Sequence, residues 1–296
     1  MTARTRRSLL YVPGNNPGML QTGGLFGADV VVLDLEDSVA PSEKDAARDL
    51  VCGALRRVDF GRAATCVRLN SLDTFAAADL KSLVPARPDL VLLPKTGCPG
   101  DVLELVGILE RLESLEKKDR KPIGVMALIE SPRGLAEINA IAASHPRLEA
   151  LVLGAEDYAA MVGALRTKEG GEIALARSQL VNAAAAYGLE SFDAVFTDAA
   201  DDEGLAADTI LARNLGFTGK SAVNPRQVKV INDLFSPSGE DVDWAGRVVR
   251  ALRQAEKEGS GVASIGGKMV DAPVARRAER ILRLAEKLGP GGGDGR

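Results

Sequence analysis

The feature that most constrains this chain is a rhythm in which short apolar runs alternate with longer amphipathic stretches. Eight runs stand out: Ser8 to Val12, Val30 to Leu35, Cys66 to Leu69, Leu90 to Leu93, Ile123 to Ile129, Ala150 to Leu153, Ala194 to Phe196 and Ser221 to Val223. Their C-terminal ends advance from Pro13 to Asn224 in seven steps of about 30 residues, the length of one βα unit. The runs are almost uniformly apolar rather than alternating, so both faces of the sheet they form must be covered. Eight units favour closure into a (β/α)8 (TIM) barrel over an open doubly wound sheet. The intervening segments fit helices. Ser42 to Arg57 opens with a cap-like Ser-Glu-Lys-Asp, and Gly100 to Leu115 sets Val102, Leu105, Val106, Ile108, Leu109 and Leu112 on one face.

Beyond the eighth run the pattern changes to a helix over Val242 to Glu258, a glycine-rich stretch GSGVASIGGKMVD, and a last helix over Pro273 to Leu288. The expected division is a barrel catalytic domain over 1–235 and a C-terminal helical extension, or lid, over 236–288. That extension looks too short to bury a core of its own. The tail GPGGGDGR, 289–296, is expected to be disordered.

Charge and cysteine usage narrow the partners. The 37 basic and 41 acidic residues are spread along the chain and sum to −4, leaving no basic stripe for nucleic acid. Three widely spaced cysteines make neither a disulfide framework nor a paired zinc motif, which points to a reducing compartment. The apolar run after the basic start ends at Pro13, too short for a signal or a membrane span, so a cytoplasmic protein without membrane association is expected. No GxGxxG follows the first run. The Gly-Lys-Ser at Gly219 to Ser221 lacks the earlier glycine of a phosphate-binding loop.

In a parallel barrel the reacting groups come from the C-terminal strand ends. Those positions hold Asp34, Glu36 and Asp37, then Arg68 and Asn70, then Lys95, Glu130, and finally Glu156 with Asp157. All are expected at one mouth. Glu130 and Asp157, one unit apart, would stand on neighbouring strand ends where a hard cation such as Mg2+ could be held. Arg68 offers a planar fork for a substrate carboxylate. Together they suggest a small oxo-acid or hydroxy-acid ligand. Plainer roles compete: strand-end carboxylates commonly cap helices, and Lys95 could be a structural ion-pair partner. His145, alone in a loop, is given no role. Cys66 and Cys98 flank the inferred mouth without a histidine to activate them, so both are taken as inert thiols.

Several stretches in order carry a resemblance: RSLLYVPGNNP from Arg7, LDLEDSVAPSEKDAAR from Leu33, VRLN from Val67, LPKT from Leu93, ALIESPRG from Ala127, LGAEDY from Leu153, GFTGKSAVNPRQV from Gly216 and GKMVDAPV from Gly267. With these the chain resembles the citrate lyase β subunits and the wider group of citramalyl-CoA and malyl-CoA lyases in the HpcH/HpaI aldolase family. The resemblance implies a (β/α)8 barrel with Mg2+ on Glu130 and Asp157, substrate bound by Arg68 and Glu130, and the acids of DLED steadying metal-bound waters. Asp271 matches the family aspartate that a neighbouring subunit's C-terminal lid lends to the site, so Asp271 and Arg68 are the expected catalytic residues of a homo-oligomer, a trimer or hexamer. The implied reaction cleaves a citryl-type 3-hydroxyacyl thioester, on acyl carrier protein or CoA, into oxaloacetate and an acetyl thioester, with α and γ citrate lyase subunits as possible partners. Asn224 in SAVNPRQ and the ALRTKEGGE segment are similar to the citrate lyase β subunits. The alternatives are a stand-alone citramalyl-CoA or malyl-CoA lyase yielding pyruvate or glyoxylate, and a non-catalytic barrel scaffold.

Overall fold

A computed structural model describes residues 5–116 and 121–289. The tail expected to be disordered lies outside them from Pro290 onward. The chain divides into two compact units, one of residues 6–231 and one running from Asn232 and including Thr5.

The first unit is a closed barrel of eight strands. These are β1 (Ser8–Pro13), β2 (Val30–Asp34), β3 (Ala64–Arg68), β4 (Leu90–Leu93), β5 (Gly124–Ile129), β6 (Leu148–Leu153), β7 (Glu190–Asp193) and β8 (Gly219–Ala222). Each strand runs parallel to the next, and β8 closes on β1 with Ser8 opposite Lys220. The fold is the (β/α)8 barrel that the rhythm predicts.

Strand side chains alternate between faces, and both sets are buried here. Leu9, Val30, Val32, Ala64, Cys66, Leu90, Leu92, Met126, Leu128, Ala150, Val152 and Phe192 form one cluster. The residues between them, such as Val31, Leu33, Val67, Val91, Ile129 and Leu151, are buried as well, which is why most of these strands read as unbroken apolar runs. The same two-residue step positions the mouth. Val30 and Val32 lead to Asp34, Ala64 and Cys66 to Arg68, and Met126 and Leu128 to Glu130. A polar layer therefore caps an apolar interior at the C-terminal end.

Four expectations are corrected. The seventh strand is Glu190–Asp193, not Ala194 to Phe196, and the eighth begins earlier than Ser221. Both strands are buried yet read as ESFD and GKSA, because Asp193 and Lys220 neutralise each other inside the fold at 2.7 Å and apolarity does not mark them. Cys66 does not flank the mouth: it lies in the barrel interior, where burial pushes its thiol far up. Ser42 does not open the second helix, since Pro41–Glu43 form a 3-10 turn and the α-helix is Lys44–Arg57.

The second unit contains helix Gly239–Lys257, a hairpin of β9 (Ala263–Ile265) and β10 (Lys268–Val270), and helix Ala272–Leu288. Gly266 and Gly267, at φ 56° and 77°, give the two left-handed residues that a two-residue hairpin turn of type I′ requires. Contrary to the expectation from its length, this segment does bury a core: Ala245, Val248, Val249, Leu252, Val270, Ala275 and Ala278 cluster together, with Trp244, Ile265, Ile281 and Leu282 against them. The hairpin supplies the third side that two helices alone would leave open. Arg277 adds a cation–π contact 5.4 Å from the Trp244 ring centre. No helix among the described residues is long and apolar enough to cross a membrane.

Candidate active site

Asp34 and Arg68 are the last residues of β2 and β3 and are paired in register. Arg68 Nε donates to Asp34 Oδ1 at 2.6 Å and Nη2 to Oδ2 at 2.7 Å, a bidentate clamp. Asp34 also accepts from the backbone N–H groups of Glu36 and Ser38, which folds the following loop over the strand end. Burial alone would raise the Asp34 carboxyl, but the Arg68 pair and these N–H donors outweigh it and hold it below the usual range. The guanidinium lies 5.4 Å from the Tyr11 ring centre. Its Nη1 turns to Glu36 Oε2 at 3.0 Å and Asp37 Oδ2 at 3.3 Å. One edge of the fork expected to meet a substrate carboxylate is thus held by Asp34, and the Nη1 end is met by Glu36 and Asp37.

Glu36 is buried, with Lys95 Nζ 3.3 Å from its other oxygen. Neither oxygen receives a well-aligned hydrogen bond. Burial, with a further push from Asp37 and against the pull of Arg68 and Lys95, lifts its carboxyl to about 7. Beneath it Lys44 Nζ donates to the carbonyls of Leu35 at 2.7 Å and Glu36 at 2.6 Å, so a residue read as part of a helix cap instead anchors the acidic loop.

Glu130 follows β5 and is only 2% exposed. Its Oε1 accepts the backbone N–H of Lys95 at 2.5 Å. Burial, aided by the charges of Glu36 and Asp157 and opposed by that N–H and by Arg68, pushes its carboxyl up to about 8. Gly154 explains part of the LGAED motif: a Cβ there would sit 2.5 Å from Glu130 Cβ, so only glycine lets the helix Ala155–Val162 start beside Glu130. Asp157, in the first turn of that helix, is half-buried and near enough to raise Glu130. Glu156 does not join the mouth acids; it is exposed and pairs with Arg166 at 2.9 Å.

Other strand-end residues are scaffold. Asn70 donates its side-chain amide to Asp79 at 2.8 Å, and Arg48 Nε meets the same carboxylate at 2.9 Å. Asn224 accepts from the N–H of Arg226, a local turn at the start of helix Pro225–Phe235. Gln227 of the same motif ties that start to the carbonyl of Phe196. Asp271, in the second unit, caps helix Ala272–Leu288, its Oδ1 accepting from Val274 N–H at 3.2 Å. Unread in the sequence was a buried charge quartet: Lys220 Nζ lies 2.7 Å from Asp193 and 2.6 Å from Asp208, and Arg177 bonds both acids. The signal available was a charged residue inside each of two strand-length segments.

The donor set can be tested for a cation. Among the described residues no Lys or Arg ion-pairs with Glu130 or Asp157, and no group of three or more His, Cys, Asp or Glu converges as a ready-made metal cage, at the mouth or elsewhere. Two neighbouring carboxylates that repel each other fit Mg2+, which takes few protein oxygens and completes its shell with water or substrate. Softer metals want thiolates or imidazoles, and neither is present at Glu130.

A closed (β/α)8 barrel with acids and an arginine at its C-terminal mouth defines the class, a barrel with the polar groups of an active site at its strand ends. Residues 7–225 match the family described as HpcH/HpaI aldolase/citrate lyase, and the chain belongs to that family. It is 42% identical to the citrate lyase subunit beta of Leuconostoc mesenteroides subsp. cremoris, over 95% of this chain and 94% of the relative. To the L-malyl-CoA/beta-methylmalyl-CoA lyase of Rhodobacter capsulatus it is 35% identical, over 96% of each. Among solved structures it resembles the citrate lyase beta subunit of M. tuberculosis complexed with oxaloacetate and magnesium, with TM-score 0.66, 32% identity, and 79% of this chain and 98% of that one covered. The chain is an enzyme of the aldolase/lyase type.

Proposed function

We propose that this enzyme is a Mg2+-dependent carbon–carbon lyase that cleaves a citryl-type 3-hydroxyacyl thioester into oxaloacetate and an acetyl thioester. The observation that carries the reading is the buried Glu130 at the end of β5, which feels the charges of both Asp157 and the Arg68 guanidinium and, like Asp157, has no Lys or Arg ion-pair partner among the described residues. The relatives' substrates point the same way. Glu130 and Asp157 would hold the ion, which when bound supplies Lewis-acid stabilisation of negative charge on the substrate's oxygens. Arg68, fixed by Asp34, would present its Nη1 end to a substrate carboxylate that takes the place of Glu36 and Asp37 there. Release of the hydroxyl proton to solvent water and scission of the adjacent C–C bond leave a ketone on one fragment, while the bonding pair passes into a thioester enolate. Asp271, supplied by a neighbouring subunit of a homo-oligomer, would protonate the enolate carbon, and the atoms then balance.

The test is an assay for oxaloacetate release from citryl thioesters on acyl carrier protein and on CoA, with and without a chelator. Cleavage should require metal, and activity surviving full chelation sinks the reading. Asp271→Asn should keep oxaloacetate binding and lose most turnover; near-normal turnover removes that role. A second reading, a stand-alone malyl-CoA or citramalyl-CoA lyase, draws on the malyl-CoA lyase relative. Cleavage of free malyl-CoA or citramalyl-CoA in preference to citryl thioesters would select it.

A further inference from the structure

Lys95 is one of two residues other than glycine with positive φ among the described residues, at 53°. The other, Arg87, ends the helix Ala76–Ala86, where a left-handed residue is the common way to stop a helix. Lys95 has no helix to end: it follows Pro94 at the C-terminal end of β4. A left-handed backbone costs every side chain that has a Cβ, so its presence at a mouth calls for a compensating use.

The use is visible in the neighbouring bonds. The turn directs the Lys95 N–H at Glu130 Oε1, the single hydrogen bond that this buried carboxylate receives among those described. One residue on, the Thr96 N–H donates to Leu128 O at 3.2 Å and Thr96 Oγ1 donates to Leu93 O at 3.0 Å, fixing the turn against both β4 and β5. Gly134 is packed so closely beneath it that a Cβ there would sit 2.4 Å from Thr96 O. The turn is therefore braced from three sides, while the Lys95 side chain is about half exposed and reaches Glu36 at 3.3 Å.

We propose that Lys95 is a positioning residue for the metal site, acting through its backbone: the left-handed turn aims an N–H at Glu130 and holds that carboxylate in the orientation in which it can share a cation with Asp157. The proposal rests on the reading of Glu130 and Asp157 as metal ligands. Partners that orient metal ligands are worth about 10–100-fold in metal affinity when lost.

Because the role belongs to the backbone, side-chain substitutions separate it from the ammonium. Glycine and asparagine tolerate the left-handed region, alanine less so, and a β-branched residue least. Magnesium affinity of the full-length protein, measured by titration calorimetry, should stay within about threefold of the parent, or tighten, in Lys95→Gly and Lys95→Asn. It should weaken by about tenfold or more in Lys95→Val, with Lys95→Ala between. Lys95→Ala also covers the case in which Lys95→Val fails to fold. Equal affinities in Lys95→Gly and Lys95→Ala, or a loss in Lys95→Gly and Lys95→Asn as large as in Lys95→Val, would overturn the proposal. Failure of the metal-site reading would look different, since the unsubstituted protein itself would then bind no Mg2+.

Discussion

Two clusters of buried charge near the strand ends of this barrel are built on opposite rules. Between β7 and β8, Asp193 and Asp208 are met by Lys220 and Arg177 at 2.6 to 2.9 Å, and both acids have cationic partners. Across β2 to β6, Glu36 and Glu130 are buried as well, but their partners are few or poorly aligned. Burial opposes ionisation in both places. In the quartet Lys220 and Arg177 overcome it and pull Asp193 below the usual range, whereas at the mouth it prevails and lifts Glu36 to about 7 and Glu130 to about 8. A charge-balanced network holds its acids ionised inside the fold; an under-partnered one is poised for a ligand.

The comparison breaks most sharply on the mouth acids. Glu130→Ala and Asp157→Ala should each abolish metal-dependent cleavage, while circular dichroism shows an intact fold. Retention of even a tenth of the turnover in either variant would place the metal elsewhere. On the other side, Lys220→Met leaves Asp193 buried with one cation fewer and should lower unfolding free energy by about 3–5 kcal/mol, read by urea titration. A loss below about 1 kcal/mol would mean that the quartet is not what secures β7 and β8.

Arg68 belongs to both worlds, being clamped by Asp34 on one edge and turned at Nη1 toward the mouth acids Glu36 and Asp37. Arg68→Lys cannot keep the bidentate clamp, so kcat/KM for the thioester should fall by about 10–100-fold, the equivalent of one charge-assisted hydrogen bond, with Mg2+ affinity nearly unchanged. An equal loss of metal affinity would make Arg68 part of the ion's own site.

The most gradual expected effect is in pH. Glu130 and Glu36 hold protons in the folded, metal-free protein up to about 8 and about 7, while in the unfolded chain they release them near 4.5. The folded state therefore binds more protons between those values, and its stability should fall as pH rises from about 5 to about 8.5. A melting-temperature series without metal should show that decline, and Mg2+ should reduce it at the alkaline end. A metal-free melting temperature that rises over this window would contradict the assignment.

Much of this was legible in the chain itself. β1 to β6 are apolar on both faces, so their runs announced a covered parallel sheet, and the strand-end rule then named Arg68, Glu130 and Asp157. β7 was missed because its buried end is Asp193, whose neutralising partners come from residues 16 and 27 positions away. No local pattern shows that pairing. The Asp34 clamp and the left-handed turn at Lys95 were hidden for a similar reason: both are set by neighbouring strands. Glu156 and Asp157 are adjacent in sequence, and only the helix that starts at Ala155 decides which of them faces Glu130. Gly266 and Gly267 were visible as a glycine pair, but their value as a hairpin turn depends on the flanking Ala263–Ile265 and Lys268–Val270 segments pairing.

The most direct test is to titrate the full-length protein with Mn2+, a paramagnetic stand-in for Mg2+, and count bound ions by electron paramagnetic resonance. One ion per chain in the unsubstituted protein, displaced by Mg2+ and lost in both Glu130→Ala and Asp157→Ala, is the predicted result. An ion that stays bound when both carboxylates are removed would contradict the account.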